Sequence, residues 1–245
     1  MTTYALTPDE SERFRLDGYL GRFALCSPEE MGIIRERIDR DVHPERAGAR
    51  GSRHLDARLV YDLCAHPAIV GRIAGILGPD LMIWNSNFWM KEPGQMEFPY
   101  HQDGANWPLV PLITVSAWIA IDETTVENGC VHVIPGSQGI IVPRIPPRSA
   151  SEPGGADPSY VDTARAVPME LRPGEFFLWS ECTLHGSPPN YSQTRRLGLC
   201  VRMTVPFVKV DYGRLGYLAT SAKSGCVMVS GTDKFGINLM RCSPG

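Results

Sequence analysis

The sequence predicts an α+β fold, in which helices at the N-terminal end lead into an antiparallel jelly roll, a double-stranded β-helix of two facing sheets. Three observations carry this prediction. Two helix-start motifs stand near the beginning of the chain, at Thr7 and Ser27. From Leu81 onward the texture changes to short runs of β-branched and aromatic residues divided by Gly, Pro and Asn. Those runs are not interleaved with helical patterns, so strand must pair with strand, and two packed sheets or a closed barrel result.

The first helix is expected from Thr7 as N-cap, with Pro8 at the first helical position and Glu10 completing a capping box, and Gly18 closes it. Ser27, Pro28 and Glu30 repeat the motif, and Met31, Ile34 and Ile38 then fall on one helical face. A third helix runs from Ala68 to Leu77, with Ile69, Ile73 and Leu77 as its apolar positions and Gly78 and Pro79 as its stop. Predicted strands follow at Leu81 to Lys91, Phe98 to Gln102, Thr114 to Ile121, Val131 to Ile134, Glu175 to Trp179, Leu197 to Val205 and Gly225 to Val229. The stretch 143–167 is rich in Pro, Ser, Gly and Ala without apolar periodicity, and is read as a lid over a site. The whole chain, 1–245, reads as one domain with a helical part to about residue 80 and a β core over about 81–230.

A formal net charge of −3, with no long run of Lys or Arg, argues against nucleic acid and anionic membrane surfaces as partners and favours a small-molecule substrate. The opening MTTYALTPDESERF has no basic segment followed by an apolar one, and no stretch approaches the roughly eighteen apolar residues of a membrane span, so a cytoplasmic location is expected. Seven scattered cysteines, an odd number with no CxxC pair, read as reduced thiols.

The chemistry concentrates in FPYHQDGANWP, where His101 and Asp103 are two residues apart. On a strand, positions i and i+2 share a face, so an imidazole and a carboxylate can reach one ion together. His185, in TLHGSPPN just past the apolar run Phe176 to Trp179, is the candidate third ligand. Two His and one carboxylate form the facial triad of non-haem iron(II) oxygenases, which leaves positions open for a bidentate co-substrate and dioxygen. The same set also binds zinc, so a non-catalytic metal-binding jelly roll is the alternative. Arg196 lies 196 − 185 = 11 residues beyond His185, at the head of another strand. A guanidinium there can clamp a carboxylate with a bidentate fork. Arg195 competes for that role, but neighbours on a strand face opposite ways, so only one of the two can act.

The run from Lys91 to Met203 resembles the phytanoyl-CoA dioxygenase family of iron(II)/2-oxoglutarate oxygenases, through KEPG, HQDGANWPL, TVSAWIAIDETTVENGCVHVIPGS and HGSPPNYSQTRRLGL. DGYLGRFALCSPEEM near the start, and VRMTVPFVKVDYGRLGYL and TDKFGINLM near the end, are similar to the syringomycin-type aliphatic chlorinating enzymes of the same superfamily. The resemblance implies His101, Asp103 and His185 as iron ligands, Arg196 as the partner of the distal 2-oxoglutarate carboxylate, Ser116 and Trp118 as its borders, and Lys91 nearby. The chlorinating enzymes carry a small residue where this chain has Asp103, so the resemblance implies oxygenation rather than halogenation. It further implies that iron(II), 2-oxoglutarate and dioxygen oxidise an unactivated C–H bond, with succinate and carbon dioxide released. Hydroxylation, desaturation, cyclisation and epimerisation all stay open as outcomes. Because the chlorinating relatives act on amino acids tethered to carrier proteins, a carrier protein is the alternative to the expected partner, a free metabolite of secondary metabolism.

Phe98, Tyr100, Asn106 and Trp107 flank the ligand pair and are candidate substrate-lining residues, Trp107 first among them. His54, His66 and His132 read as satisfied core or surface residues. Arg50, Arg53 and Arg58 read as a solvated face, with an anionic substrate as the alternative. ENGC at Glu127 to Cys130 is a turn.

Overall fold

The computed structural model describes residues 4–46, 50–146, 154–215 and 224–245. Its helices are α1 (Pro8–Asp17), α2 (Pro28–Arg37), α3 (Arg58–Cys64) and α4 (Pro67–Leu77). In chain order the strands begin with β1 (Tyr19–Ala24), β2 (Leu81–Lys91), β3 (Phe98–His101), β4 (Leu109–Val110), β5 (Val115–Ala120), β6 (His132–Val133) and β7 (Arg144–Ile145). They continue with β8 (Gly155–Ala156), β9 (Val167–Pro168), β10 (Glu175–Ser180), β11 (His185–Ser187), β12 (Arg196–Thr204), β13 (Lys209–Val210) and β14 (Val227–Ser230). Among the described residues no single helix is long and apolar enough to cross a membrane.

Both capping boxes form, and each satisfies the amides of the cap residue and of the third helical residue. Thr7 and Ser27 accept from the amides of Glu10 and Glu30, whose carboxylates return to the cap amides at 2.8 Å. Gly18 ends α1 in the left-handed region at φ 76°, where a Cβ would strike Gln138 and Thr183, and this turns the chain directly into β1. The N-terminal part is therefore not helical throughout: β1 pairs antiparallel with β10 and becomes an edge of the large sheet. Its six residues are too few for the alternation to stand out between two strong helix signals. Helix α3 also went unpredicted, because Ala57 offers no side-chain cap.

The large sheet has the order β1-β10-β5-β12-β2-β14, and a smaller one the order β3-β11-β6-β9, with every pairing antiparallel. These are the two layers of the expected jelly roll. Strand alternation sorts the side chains between two buried environments. Leu197, Leu199, Val201 and Met203 of β12, with Val115, Ala117 and Ile119 of β5 and Phe176 and Leu178 of β10, join the main core with the helices, including Met31, Ile38, Ile69 and Ile73. Trp118, Ala120, Phe177, Trp179 and Cys200 point the other way, toward the small sheet, and pack with Val131 and Val133. The site lies on that inner side.

Part of the stretch predicted as a lid is ordered. β7 pairs with β8, and Asp157 and Asp162 cap two short 3-10 turns. Residues 147–153 of that stretch lie outside the described residues.

Candidate active site

His185 on β11 stands directly opposite His101 on β3 in the strand register. Asp103 is not on the strand as expected. β3 ends at His101, Gln102 stays extended, and Asp103 opens a 3-10 turn, which still carries its carboxylate to the imidazoles. Gln102 anchors this departure by donating to the carbonyls of Ile140 (2.7 Å) and Cys182 (2.6 Å). The potential ligand atoms of the three residues all lie within 4.8 Å of one another. Asp103 approaches His101 Nε2 at 3.5 Å and His185 Nε2 at 3.7 Å.

The hydrogen bonding of the two rings fits a metal. His101 Nδ1 faces the carbonyl of Pro99 at 3.0 Å, and His185 Nδ1 that of Thr183 at 2.9 Å. A carbonyl only accepts, so each Nδ1 carries the hydrogen and each Nε2 turns a lone pair toward Asp103. Two lone pairs and a carboxylate facing one another, with Asp103 Oδ2 buried and without a hydrogen-bond partner, are what a divalent cation would satisfy. Burial and the neighbouring His101 lower the His185 pKa to about 4, which keeps the ring neutral and able to ligate. Burial pushes the Asp103 carboxyl up, but Arg202, His185 and His101 together outweigh it and hold the group well below the usual carboxylate range.

A cavity of about 210 Å³ extends from the triad to Arg196, lined also by Trp118, Trp179 and Lys91. That is the scale of a small metabolite rather than of a large ligand. Arg196 is 4% exposed, its Nε and Nη1 have no hydrogen-bond partner, and its guanidinium lies 5.1 Å from the Trp118 ring centre. Burial lowers its pKa to about 10, so it stays cationic at neutral pH. Gly198, between Arg196 and Cys200, leaves room for Trp118: a Cβ there would sit 2.3 Å from the indole. Arg195 faces outward and pairs with Asp39 at 2.7 Å and Asp122 at 3.0 Å. The strand thus separates the two arginines as its alternation requires.

The remaining predicted residues divide. Lys91 lines the cavity, but its ammonium hydrogens are directed to Ser187 O, Ser187 Oγ and Pro188 O, so its donors tie β2 to the end of β11. Ser116 is fully buried on β5 beside Trp118 and does not line the cavity. Phe98 lies against His101 at 4.8 Å between ring centres and lines the cavity, and Trp107 lines a second cavity that adjoins the first at His101 and Asp103. Tyr100 turns away. Three residues separate Phe98 from His101 while two separate Ser187 from His185 across the ladder, so β3 carries a bulge that sends Tyr100 to a recess shared with His132. The Asn106 side chain lies outside the described residues. His54 is a buried core residue bonded to Ser86 at 2.7 Å, and His66 caps α4.

Residues 14–198 match the sequence profile of phytanoyl-CoA dioxygenase. The chain belongs to that family. Relatives include dioxygenase lolE1 of Epichloe uncinata, 28% identical over 135 residues that make up 55% of this chain and 50% of the relative, so this chain spans about half that relative's length. Methylphosphonate hydroxylase of Gimesia maris is 26% identical over 211 residues, covering 78% of each chain. The solved structure of CytC3 with Fe(II) and alpha-ketoglutarate superimposes with a TM-score of 0.77 at 26% identity, covering 99% of this chain and 96% of that one. This member of the family is an iron(II)- and 2-oxoglutarate-dependent dioxygenase, with a His-Asp-His cluster suited to the metal.

Sequence reasoning missed Arg202, Asn85, Asn87 and Trp89. All could have been found by stepping in twos along the ladder. From Arg196 the inner face of β12 continues through Gly198 and Cys200 to Arg202, and from Lys91 that of β2 runs back through Trp89 and Asn87 to Asn85, each residue opposite its counterpart.

Proposed function

We propose that this dioxygenase oxidises an unactivated C–H bond of a small molecule, with His101, Asp103 and His185 holding iron(II) and Arg196 holding the distal carboxylate of 2-oxoglutarate. The observation that carries this reading is the pairing of two complementary deficits in one cavity: a lone-pair cluster lacking a cation and a buried guanidinium lacking an anion. Bound iron(II) and 2-oxoglutarate would supply the oxidising chemistry, consuming dioxygen and releasing succinate and carbon dioxide as the substrate is oxidised.

The chain's own residues do the positioning. Pro99 and Thr183 fix the imidazole tautomers through their carbonyls. Trp118, Trp179 and Val131 wall the co-substrate end with apolar surface that excludes water there, and Phe177 stacks behind Trp179. Asp103 keeps a carboxylate in the coordination set, which supports oxygenation over halide transfer. The outcome we propose is hydroxylation of a free metabolite of secondary metabolism, with other oxidations and a carrier-tethered substrate as the alternatives.

Anaerobic addition of iron(II) and 2-oxoglutarate should produce a visible metal-to-ligand charge-transfer band, and aeration with a metabolite pool should release succinate. Folded protein that shows no band would overturn the proposal. Product analysis in chloride buffer should find hydroxylated and not chlorinated material.

A further inference from the structure

Three arginines from separate parts of the chain line a second cavity, of about 500 Å³, beside the triad. Arg50 comes from the segment before α3, Arg144 opens β7 in the stretch predicted as a lid, and Arg202 stands on the inner face of β12. His101, Asp103, Arg50 and Arg202 line both cavities, whereas Arg196 lines only the first and Arg144 only the second. The two cavities therefore meet beside His101 and Asp103, with Arg196 at the end of the first, Arg144 on the second, and Arg50 and Arg202 where they join. Of the arginines that read as a solvated face in the sequence, Arg53 and Arg58 pair with Asp56 and Asp62, and Arg50 alone joins the site.

Arg202 is the buried member, 5% exposed, with its guanidinium 4.8 Å from the Trp107 ring centre. Its Nη1 donates to Asn85 Oδ1 at 2.9 Å, and its Nε has no hydrogen-bond partner. Its nearest carboxylate is Asp103, 3.7 Å from Nη2, which is longer than a hydrogen bond. Among the described residues Asp103 is also the only acidic one lining this cavity. Once its charge is committed to a divalent metal, and the co-substrate's carboxylates to the metal and Arg196, no carboxylate among the described lining residues is left for the buried Arg202 or for the exposed Arg50 and Arg144. A buried guanidinium without a counter-charge is costly, and its planar fork suits a two-oxygen anion.

Resting on the oxygenase reading above, we infer that the second cavity takes a compact substrate bearing a carboxylate or phosphonate, bound by Arg202 with Arg50 and Arg144. Asn85 and Asn87 supply further polar contacts, and Trp107 an apolar wall.

The test uses the protein loaded anaerobically with iron(II) and 2-oxoglutarate, so that the charge-transfer band first establishes the co-substrate site. Matched probes are then titrated by calorimetry and by perturbation of that band: isobutyrate against isobutyramide, and propylphosphonate against its dimethyl ester. The anions should bind at least tenfold tighter than their neutral partners, and the tighter of the two anions assigns the group. Arg202→Gln should remove that preference while leaving neutral-probe affinity in place. Because Arg202 also neighbours Asp103 and, like Arg50, lines the first cavity, the exposed Arg144→Gln serves as the independent variant, weakening anion binding several-fold with the band intact. Equal affinity for anions and neutral partners in protein that shows the band overturns this inference and leaves the oxygenase reading standing. Absence of the band in wild type overturns both.

Discussion

The two faces of the six-stranded sheet are both buried, yet they are built from opposite chemistries. On the outer face Leu197, Leu199, Val201 and Met203 pack against apolar neighbours, Thr114 donates to Met203 O and His54 Nδ1 bonds Ser86 Oγ, while His54 Nε2 is left without a partner among the described residues. On the inner face the same strand presents Arg196 and Arg202 with buried nitrogens that have none. Burial is equal on the two sides and hydrogen-bond satisfaction is not. Native interiors pair their polar groups almost completely, so an array of orphans on one face marks where a ligand completes the structure.

That contrast can be broken or sharpened by substitution. The largest effect is expected from Asp103→Ala, which removes the only charged member of the triad: no charge-transfer band should form with iron(II) and 2-oxoglutarate, and 2-oxoglutarate-dependent turnover should fall to background. Next is Arg196→Leu. Loss of a buried charge-assisted fork costs about 2 to 5 kcal/mol, which is roughly thirtyfold or more in the Kd for 2-oxoglutarate. The ligand-free variant should be no less stable in urea, because an unpaired buried charge has been removed.

On the outer face the pattern should invert. Leu199→Ala should lower stability by about 2 to 5 kcal/mol in urea denaturation, while the charge-transfer band is retained in the folded protein. A smaller effect comes from pH. Burial lowers the His54 pKa to about 3, so between its free value of 6.5 and that point the unfolded state binds more protons than the folded one. Stability should therefore fall as pH drops through that window, by at most about 2 kcal/mol from pH 6.5 to 5, and His54→Gln should flatten the slope in denaturation curves. The smallest change is expected for Arg195→Ala. Its ion pairs with Asp39 and Asp122 are partly exposed, so stability should drop by no more than about 1 kcal/mol, with 2-oxoglutarate affinity unaltered. A strong effect of Arg195→Ala on that affinity would reverse the assignment of the two arginines.

Much of this was legible beforehand where the determinants are local. Both capping boxes form where the Thr7 and Ser27 motifs place them, because a cap needs only residues three apart. The alternation in RLGLCVRM already separates Arg195 from Arg196. Other features depend on pairing across the fold. The bulge in β3 that turns Tyr100 away from Phe98 exists only against β11. Lys91 was expected beside the co-substrate, but its donors are engaged by Ser187 and Pro188, far along the chain.

By itself, then, the sequence determined the class of fold, the three metal-suited side chains and the carboxylate that argues for oxygenation, since residue identity and short spacing carry these. Only the tertiary structure decided which arginine faces inward without a partner among the described residues, that Arg50, Arg144 and Arg202 meet in one cavity, and that this cavity joins the first beside His101 and Asp103. Those are relations between residues up to about a hundred and fifty positions apart, and strand pairing and sheet packing bring them together.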